Sequence, residues 1–214
     1  MNTRSFFSRI CRSSIPRLAA VMLAAGESRR LGRPKQLLLY RGQPLLRALA
    51  SEACASRCDR VGVVIRGGDP RIDACLDGLK VHVIVNPDWA EGMASSIRRG
   101  VAWADREACD AVLLLVGDQP ALTATHMDDL VAACRSGTRV VASRYGGTSG
   151  VPALFGRSMF AALLELRGAE GAKAVIRAVE DATVVNWPQG ALDVDTPADA
   201  ARLIDQSLSR FPRF

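Results

Sequence analysis

Short apolar runs alternate along this chain with longer amphipathic segments whose apolar positions repeat with the helical period. The run Ala111–Val116 is apolar at every position, which is typical of a central strand buried on both faces. Strands are predicted at Leu18–Leu23, Val61–Ile65, Val81–Val85, Ala111–Val116, Arg139–Ala142 and Thr183–Asn186. Helices are predicted at Pro44–Ser56, Met93–Ala104, Thr125–Cys134, Ser158–Leu166, Gly171–Val179 and Pro197–Ser209.

This alternation predicts an α/β fold in which helices cover both faces of a mostly parallel sheet, as in a three-layer Rossmann-like domain. Since no linker or internal repeat interrupts residues 18–214, we predict one domain there and a basic, disordered extension at residues 1–17. The extension and the apolar run behind it resemble a secretory signal. Cleavage after that run would remove the first predicted strand, so a cytoplasmic location is expected. No run reaches the ~20 apolar residues of a membrane helix.

Charge and composition narrow the expected partners. The formal net charge is +6, but four arginines and no acid lie in residues 1–17, so most of the excess belongs to the extension. Aromatic residues make up 5% of the chain, too few for a platform that stacks bases. We therefore expect a small anionic ligand rather than nucleic acid or a membrane. The six cysteines form no C-x-x-C pair and indicate free thiols in a reducing compartment.

The strongest chemical signal is the stretch from Leu23 to Lys35, Leu-Ala-Ala-Gly-Glu-Ser-Arg-Arg-Leu-Gly-Arg-Pro-Lys. It leaves the end of a predicted strand and contains two glycines and four cations. Backbone N–H groups and cations in such a loop suit a phosphate group. A surface turn with solvated arginines fits the loop chemistry equally well. The stretch matches neither the Walker pattern nor Gly-x-Gly-x-x-Gly.

A second polar segment precedes the helix predicted from Met93. Gly92 would let the backbone approach a ligand closely, and Ser95 and Ser96 lie near the helix start, where free N–H groups are available. An ordinary serine cap explains the two serines as well.

Carboxylates follow the central strand and precede the last helix. Asp118, in Gly-Asp-Gln-Pro, lies at the sheet edge where ligands of such folds bind. Asp193 and Asp195 alternate in an extended segment, so their side chains point the same way. One or two carboxylates with phosphate oxygens are the ligands that Mg²⁺ prefers.

The pattern Leu-Ala-Ala-Gly-x-Ser-x-Arg-x-Gly-x-Pro-Lys resembles the signature loop of nucleotidyltransferases of the molybdenum cofactor family. Ala25 and the Gly-Asp-Gln-Pro segment resemble its cytidylyltransferase branch. The resemblance covers residues 18–205 and implies a Rossmann-like sheet of the nucleotide-diphospho-sugar transferase type. It also implies the transfer of CMP from CTP to molybdenum-bound molybdopterin, with Mg²⁺ as cofactor and transient contact with a molybdenum hydroxylase.

The same resemblance implies roles for individual residues. Expected catalytic residues are Arg30, Lys35 and Asp118. The metal is expected on Asp118 and Asp193, with Asp195 as the second choice. Expected nucleotide-binding residues are Leu23, Ala24, Ala25, Gly26, Ser28, Gly92, Ser95 and Ser96. Expected acceptor-binding residues are Gly150 and Pro152, in a predicted polar loop over Tyr145–Pro152, together with Lys173.

Two alternatives stay open. Ala169 and Lys173 stand where the family more often has Asp and Arg, which leaves a sugar phosphate or another phosphorylated molecule as the alternative acceptor. A non-catalytic carrier of the finished cofactor is the second alternative, which Arg30, Lys35 and the two acids disfavour. An oxidoreductase on a dinucleotide-binding fold is less favoured, because the Gly-x-Gly-x-x-Gly fingerprint is absent.

Overall fold

The computed structural model describes residues 17–135 and 138–208, with side chains described as far as residue 203. The disordered extension predicted at residues 1–17 lies outside this part of the chain, apart from residue 17. Strands in these ranges are β1 Leu18–Leu23, β2 Leu39–Tyr40, β3 Gln43–Pro44, β4 Arg60–Ile65, β5 His82–Val85, β6 Ala111–Val116, β7 Val140–Tyr145, β8 Thr148–Gly156 and β9 Thr183–Asn186. Helices are α1 Leu45–Ala55, α2 Pro70–Leu76, α3 Met93–Arg106, α4 Ala124–Ala133, α5 Phe160–Leu164, α6 Ala172–Arg177 and α7 Pro197–Leu208. None of the described helices is long and apolar enough to cross a membrane.

Seven strands form the main sheet in the order β5-β4-β1-β6-β8-β7-β9. Strand β8 is antiparallel to both neighbours, and the other neighbouring pairs are parallel. The predicted mostly parallel sheet is therefore confirmed, with one antiparallel strand inserted. Strands β1 and β6 pair from Leu18 and Ala111 to Leu23 and Val116, so both end at the same edge of the sheet.

Alternate side chains of the central strands pack into two separate apolar layers. In β1, Ala20 and Met22 belong to one layer, and Ala19 and Val21 to the other. Helices α1, α2, α4 and α7 contribute to the first layer, and α3, α5 and α6 to the second. All four strand side chains are fully buried. Burial on both faces explains why these strands are continuously apolar, and it gives the predicted three-layer arrangement.

Two short elements were not predicted from the sequence. Strands β2 and β3 form a hairpin whose two turn residues, Arg41 and Gly42, have φ of +50° and +78°. Helix α2 begins at Pro70 after Asp69, whose carboxylate accepts a hydrogen bond from the N–H of Arg71. Both elements are too short for a periodic pattern to reveal them.

The predicted polar loop over Tyr145–Pro152 is wrong. After a two-residue turn at Gly146 and Gly147, the chain enters β8, the longest strand of the sheet. The interruption of the apolar pattern has a structural cause, because the pairing of β7 and β8 shifts within it.

The shift leaves a bulge in β8 at Val151 and Pro152. Ala142 pairs with Ala153, whereas Ser143 pairs with Gly150, so the two residues between have no partner in the ladder. Proline lacks an N–H and is tolerated where the ladder requires none. The hydroxyl of Ser143 donates to the Pro152 carbonyl at 2.6 Å, which satisfies an acceptor that the ladder leaves free.

Candidate functional site

A cavity of about 500 Å³ opens at the carboxyl edge of the sheet, where β1 and β6 end. Ligands of open α/β sheets bind at this edge. Six of the eight predicted nucleotide-binding residues line the cavity: Leu23, Ala24, Ala25, Gly26, Gly92 and Ser96. The predicted charged residues Lys35, Asp118 and Asp195 line it as well. The fold thus joins four distant sequence segments into one site.

Lys35 bridges two carboxylates in the wall of the cavity. Its Nζ donates to Asp118 Oδ2 and to Asp195 Oδ1, in both cases at 2.8 Å. The Lys35 side chain is 14% exposed, against 27% for Asp118 and 49% for Asp195. One cation between two carboxylates leaves this trio with a net negative charge.

Burial lowers the pKa of Lys35, but the charges and hydrogen bonds of Asp118 and Asp195 outweigh burial, so the net pKa lies above its ordinary value. Lys35 is therefore cationic over the whole physiological pH range. Because it is largely shielded from water, its charge acts on a phosphate group more strongly than that of a solvated lysine.

Asp193, the first choice as second metal ligand, lies apart from the cavity wall. It lines a neighbouring depression together with Pro120 and Val194. Partial burial of the carboxyl group, followed by the charge of Asp118, raises the pKa of Asp193. Asp195, the second choice, is the acid that reaches Lys35 and the cavity. The geometry therefore favours Asp195 over Asp193 as the partner of Asp118.

Arg30 is exposed and does not line the cavity, whereas Arg29 does. Arg29 Nε pairs with Glu27 Oε2 at 2.5 Å. Ser28 also lies outside the wall, and its hydroxyl accepts a hydrogen bond from the backbone N–H of Lys35 at 3.1 Å. Ser28 thus ties the two ends of the loop together. The catalytic role of Arg30 stays a prediction.

Several backbone groups at the end of β1 and in the loop after it are hydrogen-bonded to other parts of the protein. Gly117 N–H donates to the Leu23 carbonyl at 3.0 Å, which fixes the loop to the end of β6. Ala24 N–H donates to the Val64 carbonyl at 2.8 Å, which fixes it to β4. These bonds hold the loop rigidly at the carboxyl edge, and they withdraw Ala24 N–H from any ligand.

The side chain of Gln36 holds the next part of the loop. Gln36 is 3% exposed, and its Nε2 donates to the carbonyls of Ala24 at 2.6 Å and Gly26 at 3.2 Å. Within the described residues, the N–H and C=O of Ala25 and the N–H of Gly26 make no hydrogen bond. In this part of the wall, these three backbone groups thus have no partner among the described residues, whereas the N–H and C=O of Ala24 are both bonded.

The start of α3 forms another part of the wall. Gly92 has φ +126°, and a Cβ there would lie 2.4 Å from the Gly168 carbonyl oxygen, so a glycine is required. The hydroxyls of Ser95 and Ser96 accept hydrogen bonds from Nδ2 of the fully buried Asn86, at 2.9 and 3.0 Å. Ser96 lines the cavity, and Ser95 does not.

The predicted acceptor-binding residues Gly150, Pro152 and Lys173 do not line the cavity. The first two belong to the bulged part of β8, where a Cβ at Gly150 would lie 2.8 Å from the Tyr145 hydroxyl. Glycine at this position makes room for the tyrosine. Lys173 is half-buried on the short helix α6. The acceptor-binding roles of all three stay predictions.

Sequence reasoning did not single out three residues that build this site. Gln36 and Asn86 hold the loop and the start of α3, and Trp89 lines the cavity with the Arg66 guanidinium 4.9 Å from its ring centre. A signal existed for Gln36, because it is a polar residue at the head of an apolar run. No local signal indicates the role of Asn86, since its partners Ser95 and Ser96 lie in helix α3.

The donor set in the cavity suits Mg²⁺. Asp118 and Asp195 supply carboxylate oxygens, the hard ligands that this ion prefers. The described residues contain no group of three or more His, Cys, Asp or Glu side chains placed to hold a metal ion. Two carboxylates, with the remaining positions left to phosphate oxygens and water, are the usual protein share of a magnesium–nucleotide site.

The family model of the MobA-like NTP transferase domain matches residues 20–184. This range contains Asp118 and the whole loop from Leu23 to Lys35, here called the cavity loop. Asp193 and Asp195 follow it in sequence.

Three curated relatives indicate the range of this family. PucB of Bacillus subtilis, a purine catabolism protein, is 30% identical over 197 residues, 86% of this chain and 94% of PucB. Nicotine blue oxidoreductase of Paenarthrobacter nicotinovorans is 34% identical over 134 residues, 62% of this chain and 64% of that protein. A molybdenum cofactor guanylyltransferase of Rhodobacter capsulatus is 26% identical over 201 residues, 92% of this chain and all of that protein.

Solved structures share the fold. The crystal structure of Rv0371c from Mycobacterium tuberculosis superposes with a TM-score of 0.79 and 28% identity, over 90% of this chain and 99% of that one. A manganese complex of Rv0371c gives a TM-score of 0.72 and 27% identity, over 88% and 98% of the two chains. These similarities confirm the predicted α/β fold of nucleotidyltransferase type.

Proposed function

The chain belongs to the MobA-like NTP transferase family, and on this premise we propose that it transfers CMP from CTP to molybdenum-bound molybdopterin. The products would be the cytosine dinucleotide cofactor and pyrophosphate. The observation that carries the proposal is the arrangement of Lys35 between Asp118 and Asp195, in a cavity also lined by Ala25 and Gly26, whose N–H groups have no partner among the described residues. Charged groups of both signs suit a metal–triphosphate, and free backbone groups suit a base.

The base would be read by the backbone of Ala25 and Gly26. One N–H and one C=O from Ala25 complement a neighbouring acceptor and donor, such as N3 and N4 of cytosine. O6 and N1 of guanine offer the same pair. The choice of CTP therefore rests on the Leu-Ala-Ala-Gly sequence motif. Because a guanylyltransferase is among the relatives, GTP is the competing substrate.

The proposed reaction needs no protein nucleophile. A terminal phosphate oxygen of the acceptor attacks the α-phosphorus, a new P–O bond forms, and the bond to the β-phosphate oxygen breaks as pyrophosphate leaves. Asp118 and Asp195 would hold Mg²⁺, which when bound supplies Lewis-acid stabilisation of phosphate charge. Lys35 stabilises charge on the departing pyrophosphate. The loop bonds of Gln36 and Gly117 keep the nucleotide-binding groups in place, so catalysis is mostly positioning and electrostatics.

Three alternatives compete with this proposal: another acceptor, redox activity and passive transport of the cofactor. A sugar phosphate or another phosphorylated acceptor remains open because Ala169 and Lys173 depart from the usual acceptor segment. A relative that is named an oxidoreductase calls for a test of redox activity. The trio of Lys35, Asp118 and Asp195 argues for transfer over both redox chemistry and the passive transport of a finished cofactor.

The experiment is pyrophosphate release by the purified protein with Mg²⁺ and molybdenum-bound molybdopterin, comparing CTP, GTP and ATP. Release with CTP alone supports the proposal. Release with GTP retains the transferase and overturns the choice of base. If no nucleotide gives pyrophosphate release but Mg²⁺–CTP still raises the melting temperature, the protein binds the nucleotide and uses a different acceptor. If there is neither pyrophosphate release nor a shift in melting temperature, a carrier of the finished cofactor is favoured. Oxidation of NAD(P)H under the same conditions would favour an oxidoreductase.

A further inference from the structure

Lys35 lies between the two carboxylates, Asp118 and Asp195, that would hold a metal ion. Its Nζ lies 2.8 Å from one oxygen of each carboxylate, and so a single cation bridges the two acids. A divalent ion bound by the same pair needs oxygens at a shorter distance than an ammonium group does. Lysine and metal therefore compete for these carboxylates.

We propose that Lys35 makes the site selective for the metal–nucleotide complex over either the free metal ion or the metal-free nucleotide. The inference rests on the proposed function, because it takes a triphosphate as the ligand. It concerns how that ligand is admitted to the site.

The free metal ion meets a lysine that is already well paired. Lys35 makes two charge-assisted hydrogen bonds, which are stronger than neutral ones, and its side chain is 14% exposed. Moving it aside without another anion to receive it would leave a largely buried cation without a partner. A metal ion arriving by itself must overcome that cost.

The metal-free nucleotide meets the opposite obstacle. If Lys35 turned toward the phosphates, Asp118 and Asp195 would lose their cation and repel the triphosphate. When both ligands arrive together, the metal neutralises the carboxylates and the phosphates receive the lysine. Each ligand thus removes the cost that the other faces, and thermodynamic linkage makes this coupling equal in both directions.

The loop allows this exchange without a change of fold. The backbone of Lys35 is anchored, because its N–H donates to Ser28 Oγ at 3.1 Å and the following Gln36 is bonded to two loop carbonyls. The four-carbon stem of lysine is flexible, so the ammonium group can move while the backbone stays in place.

The test is a titration with Mn²⁺ alone, followed by electron paramagnetic resonance, on the full-length protein. We expect Lys35→Met and Lys35→Gln to bind Mn²⁺ on the order of tenfold more tightly than the wild type, because the competing cation is gone. Arg33→Gln is the matched control: it removes one exposed cation from the same loop and should leave the Mn²⁺ affinity unchanged. Adding Asp118→Asn to Lys35→Met should abolish the gain.

A second titration measures the coupling. In the wild type, CTP should increase the affinity for Mn²⁺ beyond the binding of Mn²⁺ to CTP in solution, and this increase should shrink in Lys35→Met. Unchanged or weaker Mn²⁺ binding by both Lys35 variants would overturn the inference.

The two proposals fail separately. The Mn²⁺ titration requires neither nucleotide nor acceptor, so tighter binding by the Lys35 variants in a protein that transfers no nucleotide would overturn only the proposed function. Transfer of CMP by a protein whose Lys35 variants bind Mn²⁺ no more tightly than the wild type would overturn only the selectivity.

Discussion

Lys35 Nζ donates a hydrogen bond to Asp118 Oδ2 at 2.8 Å, which joins the loop after β1 to the end of β6. The two residues are 83 positions apart in sequence, and the parallel pairing of β1 with β6 brings them together at the carboxyl edge. Both line the cavity, so their charges act on whatever binds there.

This pair should be essential for nucleotide transfer. Lys35→Ala and Asp118→Ala are each expected to lower turnover by about 10²-fold or more, the scale of losing one preorganised electrostatic contact. Steady-state pyrophosphate release measures the effect, with Arg33→Gln as the matched control for a loop cation that does not line the cavity. Near-normal turnover in both alanine variants would refute the mechanism.

Asp195 should matter more than Asp193. Asp195→Asn removes a carboxylate that contacts Lys35 in the cavity, whereas Asp193 lines a neighbouring depression. We expect the Asp195 variant to need a clearly higher Mg²⁺ concentration for half-maximal turnover than Asp193→Asn does. The reverse order would restore Asp193 as the ligand of choice.

Gln36 should affect nucleotide binding without touching the phosphate chemistry. Gln36→Met keeps the size of the side chain and removes both donated bonds, each of which contributes ~1 kcal/mol to stability. We expect a several-fold rise in the KM for the nucleotide with a smaller change in kcat, because the loop groups lose their fixed positions. Gln43→Met, on the hairpin outside the cavity, is the control. Equal KM values in the two variants would argue against this role.

Stability should depend on pH through His126. The ring is buried and stacks on Trp187 at 4.5 Å, and burial lowers its pKa to about 4 from an ordinary 6.5. Because Ser143 donates its hydroxyl hydrogen to the Pro152 carbonyl, His126 Nε2 must be the donor in its 2.7 Å contact with Ser143. The folded protein thus holds a neutral histidine.

Between pH 6.5 and 4 the unfolded chain binds a proton at this position and the folded one does not, so stability falls as the pH falls through that window. The free energy of unfolding changes by up to ~1.4 kcal/mol per pH unit where the unfolded chain binds one full proton more than the folded one. His126→Gln should flatten the pH dependence of urea unfolding in that range. A slope unchanged in His126→Gln would contradict the assignment.

Gly92 should tolerate no side chain. Gly92→Ala combines a strained φ of +126° with a Cβ placed 2.4 Å from the Gly168 carbonyl oxygen, so we expect a loss of ~2 kcal/mol or more in the free energy of unfolding. Gly68→Ala separates the two effects, because its φ is +80° but no atom lies within 4 Å of the added Cβ. A Gly92 variant no less stable than the Gly68 variant would rule out the clash.

The sequence by itself determined the sheet and its two helical layers. Strands β1 and β6 have the bounds that the sequence predicts, because burial on both faces requires runs that are apolar throughout. Strand β9, a partly exposed edge strand, also has its predicted bounds. The sequence also located the cavity loop, since glycines and cations directly after a strand can only be placed at the sheet edge. The sequence pattern does not predict short elements such as α2 and the β2–β3 hairpin, because a few residues do not establish a period.

The tertiary structure decided what depends on distant partners. It showed that Pro152 marks a bulge rather than a loop, since pairing of β8 with β7 defines the missing ladder position. It brought Asp195, and not Asp193, into contact with Lys35, because those two side chains belong to separate segments that meet only when the chain folds. It likewise placed the Gln36 side chain on the Ala24 carbonyl. Local propensity fixes the backbone of an element, whereas the contacts of a polar side chain are settled when separate elements pack together.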